Sequence, residues 1–221
     1  MAQRLHHMLR HSAFLLCAIS AFAQNNVILD NEHVRVLKVV SGPGTRTRMH
    51  DHKMNRVMIY LQPGGQDFEW QDGKRSSIKW KAGEPLWSPA AGMHIAVNKS
   101  PAPVTIIELE LKNKGTSAKA GSSPLDPVRV DPKRYKVEFE NDQVRVVRVK
   151  LPGKQSIPMH EHATFRVTTN ITPQDFVVTS ADGKATPVKR GAGEAAWGTP
   201  SKHKEENLSA DPFEAIMVEL K

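Results

Sequence analysis

The chain has 221 residues, with 31 basic against 23 acidic side chains for a formal charge of +8, ten histidines and a single cysteine. Its Lys and Arg are scattered instead of massed into a stripe, which argues against a nucleic-acid-binding surface. One cysteine cannot form an intrachain disulfide, so stability rests on core burial.

In chain order, residues 1–23 read as a secretory signal. Arg4 and Arg10 stand without an acidic neighbour, an apolar core runs from Ala13 to Phe22, and Ala21-Phe22-Ala23 puts small residues where a signal peptidase reads. The apolar core falls short of the roughly 20 residues that span a bilayer. Leu16 before Cys17 departs from the small residue expected before a lipidated cysteine. The expectation is cleavage after Ala23 and a bacterial protein exported to the periplasm or secreted, with no membrane anchor afterwards. Cleavage removes the cysteine and two Arg, leaving 29 basic and 23 acidic residues, a formal +6.

The remainder repeats itself. Val27–Val39 (VILDNEHVRVLKV) matches Val137–Val149 (VEFENDQVRVVRV) at an offset of 110. The register continues through Met49-His50-Asp51-His52 against Met159-His160-Glu161-His162, Arg56-Val57 against Arg166-Val167, and Gly83 and Trp87 against Gly193 and Trp197. At an offset of 109, His94 then matches His203, Asn98 matches Asn207, and Glu110-Leu111-Lys112 matches Glu219-Leu220-Lys221. Such repetition means two copies of one domain, at residues 24–112 and 127–221. Between them, 113–126 is rich in Lys, Gly, Ala and Ser and reads as a flexible linker.

Each copy reads as strands. Runs such as His33–Val40, Arg56–Leu61, Ser77–Lys81, Met93–Asn98 and Val104–Leu111 are rich in β-branched residues and bounded by turn formers. No window has a long apolar pattern of helical period. The fold class is therefore all-β, a sandwich, jelly roll or small barrel in each copy.

Six of the seven histidines that remain after cleavage fall in the repeated pattern. Residues two apart on a strand face the same way, so His50 and His52 can converge, as can His160 and His162. His94 and His203 follow on a later strand. Three imidazoles per copy suit one divalent transition metal (Fe, Zn, Mn, Ni or Cu) with open positions for water or substrate. Glu205 shares the face of His203 and is a candidate ligand in the second copy, where the first has Ala96. His33, aligned with Gln143, reads as a surface residue, and Met49 and Met159 as packing residues. The run Thr168-Thr169-Asn170 lines either a cavity or an exposed edge.

At these residues the chain resembles the cupin superfamily. Gly44 and His50-Asp51-His52 resemble its first motif. Gly83, Pro89, Gly92, His94 and Asn98 resemble its second, with one extra residue between Pro89 and Gly92. The second copy keeps Gly193, Pro200, His203 and Asn207 but has Ser201-Lys202 where the glycine belongs. The resemblance implies two tandem cupin, jelly-roll-like barrels packed as an intrachain pseudo-dimer. It also implies that the histidines hold metal, and a metal-dependent oxygenase acting on a small organic molecule. A non-catalytic module binding a metal or small ligand is the alternative.

The sequence departs from the family where the first motif normally ends in a ligating Glu. Arg56 and Val57 stand there in one copy, Arg166 and Val167 in the other. Two readings stay open. Either Arg56 and Arg166 turn inward to bind an anionic substrate through a bidentate fork, or they face outward while the valines fill the barrels.

Overall fold

The apolar runs punctuated by Gly, Pro, Asn and Asp fold as strands in the computed structural model, which describes residues 24–113 and 119–221. The signal-peptide reading falls on residues 1–23, outside the described residues. The first half holds β1 (Gln24–Asp30), β2 (Val34–Ser41), β3 (His50–His52), β4 (Arg56–Tyr60), β5 (Gly64–Trp70), β6 (Arg75–Trp80), β7 (Glu84–Ser88), β8 (Ala91–Asn98) and β9 (Val104–Leu111). One helical turn, α1 (Pro127–Val130), opens the second half. There follow β10 (Tyr135–Glu140), β11 (Val144–Leu151), β12 (Ser156–His162), β13 (Arg166–Asn170), β14 (Gln174–Ser180), β15 (Ala185–Arg190), β16 (Ala195–Gly198), β17 (Ser201–Asn207) and β18 (Phe213–Leu220).

The topology repeats strand for strand. Each half has a five-stranded sheet, β1-β2-β9-β4-β7 and β10-β11-β18-β13-β16, and a four-stranded one, β3-β8-β5-β6 and β12-β17-β14-β15. In each half the two sheets enclose a barrel. Repeated residues explain the repeated turns. Asn31 Oδ1 accepts from His33 N and Val34 N (both 2.9 Å), and Asn141 Oδ1 accepts from Gln143 N (2.9 Å) and Val144 N (3.1 Å). Gly83 and Gly193 both take positive φ, +71° and +74°, at the turns entering β7 and β16. Only glycine adopts that region without steric cost.

The central strands of the five-stranded sheets are buried on both faces. Alternate residues of β2, β4 and β9 (Val34, Val36, Val57, Ile59, Ile107, Leu109) meet Val144, Val146, Val167, Ile216 and Val218 of the other half in one buried cluster. Trp87 and Trp197 pack against its edge. Contacts across it are reciprocal: Gly83 abuts Arg148 and Ile171, and Gly193 abuts the matching Lys38 and Leu61. Each Val, Leu or Ile fully buried here is worth about 1.5–3 kcal/mol, so this seam is a major source of stability. The opposite faces look into the barrels. The first contains Met58, Tyr60, Trp80, Val104 and Ile106; the second contains Tyr135, Val149, Ile157, Phe176 and Met217.

Three readings from the sequence are corrected. Asp126, placed at the end of a flexible linker, is 3% exposed; it caps α1 at Val128 N (3.1 Å) and binds Arg145 at 2.6 and 3.0 Å. His33 is not a plain surface residue but stacks on Phe165 and Trp197 of the second half, at centroid distances of 4.6 and 5.6 Å. Met49 is exposed, not packed.

Candidate metal centres

In the first barrel, β3 lies beside β8 with His50 opposite His94, and the register shifts between His50 and His52. The shift does not part the rings. Centroids of His50, His52 and His94 stand 4.6–5.4 Å apart, and one ligand nitrogen from each lies within 4.8 Å of the others. His50 Nδ1 donates to Arg48 O at 2.8 Å and His94 Nδ1 to Gly92 O at 2.9 Å. Each is thereby held in the tautomer that leaves Nε2 free as a ligand. His52 Nδ1 is 3.7 Å from Glu108 Oε1. Burial, then Arg56 and the neighbouring imidazoles, pushes His52 down to about 3, and burial also lowers His94. These two rings are neutral at physiological pH, the state in which imidazole binds metal.

The second barrel repeats this geometry on β12 and β17. His160 pairs with His203, and the three ligand nitrogens of His160, His162 and His203 again lie within 4.8 Å of one another. His160 Nδ1 donates to Pro158 O at 2.9 Å. His162 Nδ1 is 3.5 Å from Glu219 Oε1, and His203 Nδ1 is 3.5 Å from Ser201 Oγ. Behind His162, Glu219 accepts from Arg145 at 3.1 Å. Glu205 Oε1 stands 3.5 Å from His203 Nε2, and its Oε2 is 3.4 Å from the Tyr135 hydroxyl, itself 3.4 Å from His160 Nε2. Glu205 thus touches the face of the cluster that a metal would occupy. Burial is the largest single influence on its carboxyl and works to raise it, but His203, His160 and Arg166 together outweigh that and hold it below the usual value.

The barrels differ in access. His50 and His52 are partly exposed beside a buried His94, whereas His160, His162 and His203 are all buried. A cavity of about 560 Å³ opens onto the first cluster, walled by Val39, Met58, Phe68, Trp70, Ile78 and Leu86 among others. In the second barrel the matching positions are altered: Tyr135 stands where the first has Asn25, Glu205 replaces Ala96, and Val178 and Ser180 replace Phe68 and Trp70.

No protein-family model and no curated protein matches this sequence. Solved structures match its fold. AerE from Microcystis aeruginosa, 14% identical, aligns over 90% of this chain and 98% of that one with a TM-score of 0.61. Bacillus subtilis oxalate decarboxylase, described with Mn(II) centers, is 11% identical over 89% of this chain and 72% of its own, TM-score 0.62. A cupin 2 conserved barrel domain protein from Leptotrichia buccalis is 12% identical over 93% and 92%, TM-score 0.52. The chain has the bicupin fold.

In this bicupin Arg56 turns inward and the valines do not fill the barrels. Arg56 is 6% exposed and lines the first cavity, while Val57 and Val167 face the seam between barrels and do not fill them. Arg56 donates to Glu108 Oε1 at 2.9 Å and Ser88 Oγ at 2.8 Å, so its charge is already matched. Arg166 donates to Thr199 O at 2.6 Å and Ser201 Oγ at 3.1 Å. The polar run ends buried, with Thr169 fully buried and Asn170 1% exposed. Asn98 and Asn207 are structural: Asn98 Nδ2 donates to Ser41 O (2.8 Å) and Gly42 O (2.9 Å), and Asn207 Nδ2 to Asp211 O (3.0 Å).

Sequence reasoning missed Glu108, Glu110, Glu219 and Tyr135. His52, Glu108 and Glu110 form a further set of mutually close donors. The signal was present in β9, VTIIELEL, where charged residues at alternate positions interrupt an apolar strand. Each bicupin barrel therefore offers three histidines of fitting chemistry, with Nδ1 turned to a fixed neighbour, to a divalent transition metal.

Proposed function

We propose that this protein is an exported, metal-dependent oxygenase acting on a small organic molecule, with its chemistry in the first barrel. One observation carries the reading: three histidine nitrogens converge at a cavity of about 560 Å³ whose wall is apolar at Met58, Phe68, Trp70 and Ile78 and charged at Arg56, Glu108 and Glu110. Such a pocket, with a few convergent polar groups, is the usual form of a small-molecule site. A bound divalent ion would supply Lewis acidity and open coordination positions. The chain's own part is to hold the rings. Arg48 O, Gly92 O and Glu108 orient the imidazoles, and Phe68 and Trp70 wall the cavity beside His94. Export is supported by the composition of residues 1–23.

For the second barrel a non-catalytic metal site is the reading favoured, because its three histidines are all buried and the Tyr135 hydroxyl stands 3.4 Å from His160 Nε2.

The test is elemental analysis of the purified protein together with oxygen uptake in the presence of small phenols. Two equivalents of metal are expected, falling by one in a His50→Ala/His52→Ala variant, together with oxygen uptake that this variant abolishes. Metal content unchanged by these substitutions, or release of CO2 from dicarboxylates without oxygen uptake, overturns the reading. N-terminal sequencing of protein recovered outside the cytoplasm is expected to begin at Gln24.

A further inference from the structure

We infer that the cavity of the first barrel is a binding site for a neutral, flat aromatic molecule, seated against Phe68 and Trp70 with its edge toward the three histidines. The inference rests on the proposal that the first barrel is the reactive one, and names its substrate class.

Shape comes first. Phe68 and Trp70 project from β5 as a near-stacked pair, with centroids 6.0 Å apart and planes at 30°. Both rings also contact His94, at 5.5 and 5.0 Å. The aromatic wall therefore continues directly into the candidate metal cluster. Offset and edge-on ring contacts at such distances favour a planar π-system over an aliphatic chain. Opposite Phe68 on β8 stands Ala96, whose small side chain leaves the space beside the histidines open.

Charge then narrows the ligand. Among the described residues, Arg56 is the one Lys or Arg lining the cavity; Glu108 and Ser88 hold its two terminal nitrogens, while Nε is buried without a partner. Glu108 and Glu110 line the same region, so a carboxylate ligand would meet two fixed carboxylates and an Arg56 whose charge Glu108 already offsets, with a bound metal as the one cation to draw it. A cationic ligand would have to share the space with Arg56 and with any metal dication. A neutral ring escapes both costs.

The second barrel is the internal contrast. There Val178 and Ser180 stand at the two aromatic positions, and Glu205 fills the place of Ala96. Among the described residues this aromatic-walled site occurs once.

The experiment is isothermal titration calorimetry on the full chain, chelator-treated and metal-reloaded, with 2-naphthol, 2-naphthoate and 1-naphthylmethylammonium as probes. The expected result is one equivalent of 2-naphthol bound about ten-fold or more tighter than either ion. Trp70→Ala should weaken it by about ten-fold, with Phe68→Leu as the milder variant if Trp70→Ala misfolds. Glu108→Gln, by freeing Arg56, should strengthen 2-naphthoate by about ten-fold. Equal or tighter binding of either ion, or naphthol binding indifferent to both wall substitutions, overturns the inference. Metal content is scored separately. Naphthol binding by a protein that never takes up metal sustains this inference and overturns the proposed function; metal uptake without naphthol binding does the reverse.

Discussion

Glu219 Oε1 lies 3.5 Å from His162 Nδ1, and the carboxylate that approaches the matching His52 comes from a different position of the repeat. Glu219 aligns with Glu110, whereas His52 is approached by Glu108, whose counterpart is Met217. Two strand positions thus supply one role, a carboxylate behind the ligand ring. The consequences differ. Glu219 is 1% exposed and shares Arg145 with Asp126, which takes two of the guanidinium's bonds. Burial, against the opposing pull of Arg145, pushes Glu219 up from 4.5 to about 7.

That shift makes stability depend on pH in a definite direction. Below about pH 4.5 folded and unfolded chains both hold the proton, and the group's stabilising contribution is full. Between about 4.5 and 7 only the folded chain holds it, so the contribution is lost as pH rises through 7. Urea unfolding of chelator-treated protein should show the parent losing stability relative to Glu219→Gln between pH 5 and pH 8. A difference independent of pH would refute the shift.

Glu205 should distinguish the two centres. A carboxylate beside His203 adds negative charge and an oxygen donor to three neutral imidazoles. Glu205→Gln is expected to weaken metal binding in the second barrel by about ten-fold or more and to leave the first unchanged. Metal titration of single-site variants measures it, and equal affinities would reduce Glu205 to a polar neighbour.

Lys154 is a local conflict that one substitution should relieve. It takes φ +60° where the first copy has Gly44 at +70°. A left-handed conformation costs a non-glycine residue about 1–2 kcal/mol, part of which glycine returns through its freer unfolded state. Lys154→Gly should therefore stabilise the protein by roughly 0.5–1 kcal/mol. A denaturation midpoint that does not rise would contradict this.

The seam between barrels should be as sensitive as a domain core. Ile107 is fully buried there against residues of both halves. Ile107→Ala should cost about 2–5 kcal/mol through lost burial and the cavity left behind. A loss below about 1 kcal/mol would mean that the seam relaxes around the gap.

The repeat, the strand class and the six histidines were legible without coordinates. A repeat offset of 110 then 109 ties two segments together residue by residue, and a strand's period of two puts His50 with His52 and His160 with His162 on one face. Those are local facts, and local facts survive folding: even the register shift between His50 and His52 left the rings together.

What the sequence could not decide was which face of a strand is the cavity. In β4 and β9 both faces are buried, one against the other barrel and one toward the histidines, so alternation of polarity does not mark the inside. Arg56 and Val57 were therefore interchangeable on paper, and nothing in the alternation singled out Glu108. Only the packing of one five-stranded sheet on the other covers the valine face, and that covering turns Arg56 and Glu108 into the first barrel. Access followed the same rule. Asn25 and Tyr135 occupy equivalent positions, yet their effect depends on what stands across the barrel from each. Residues on separate strands combine to leave one cavity open and to bury the histidines of the other.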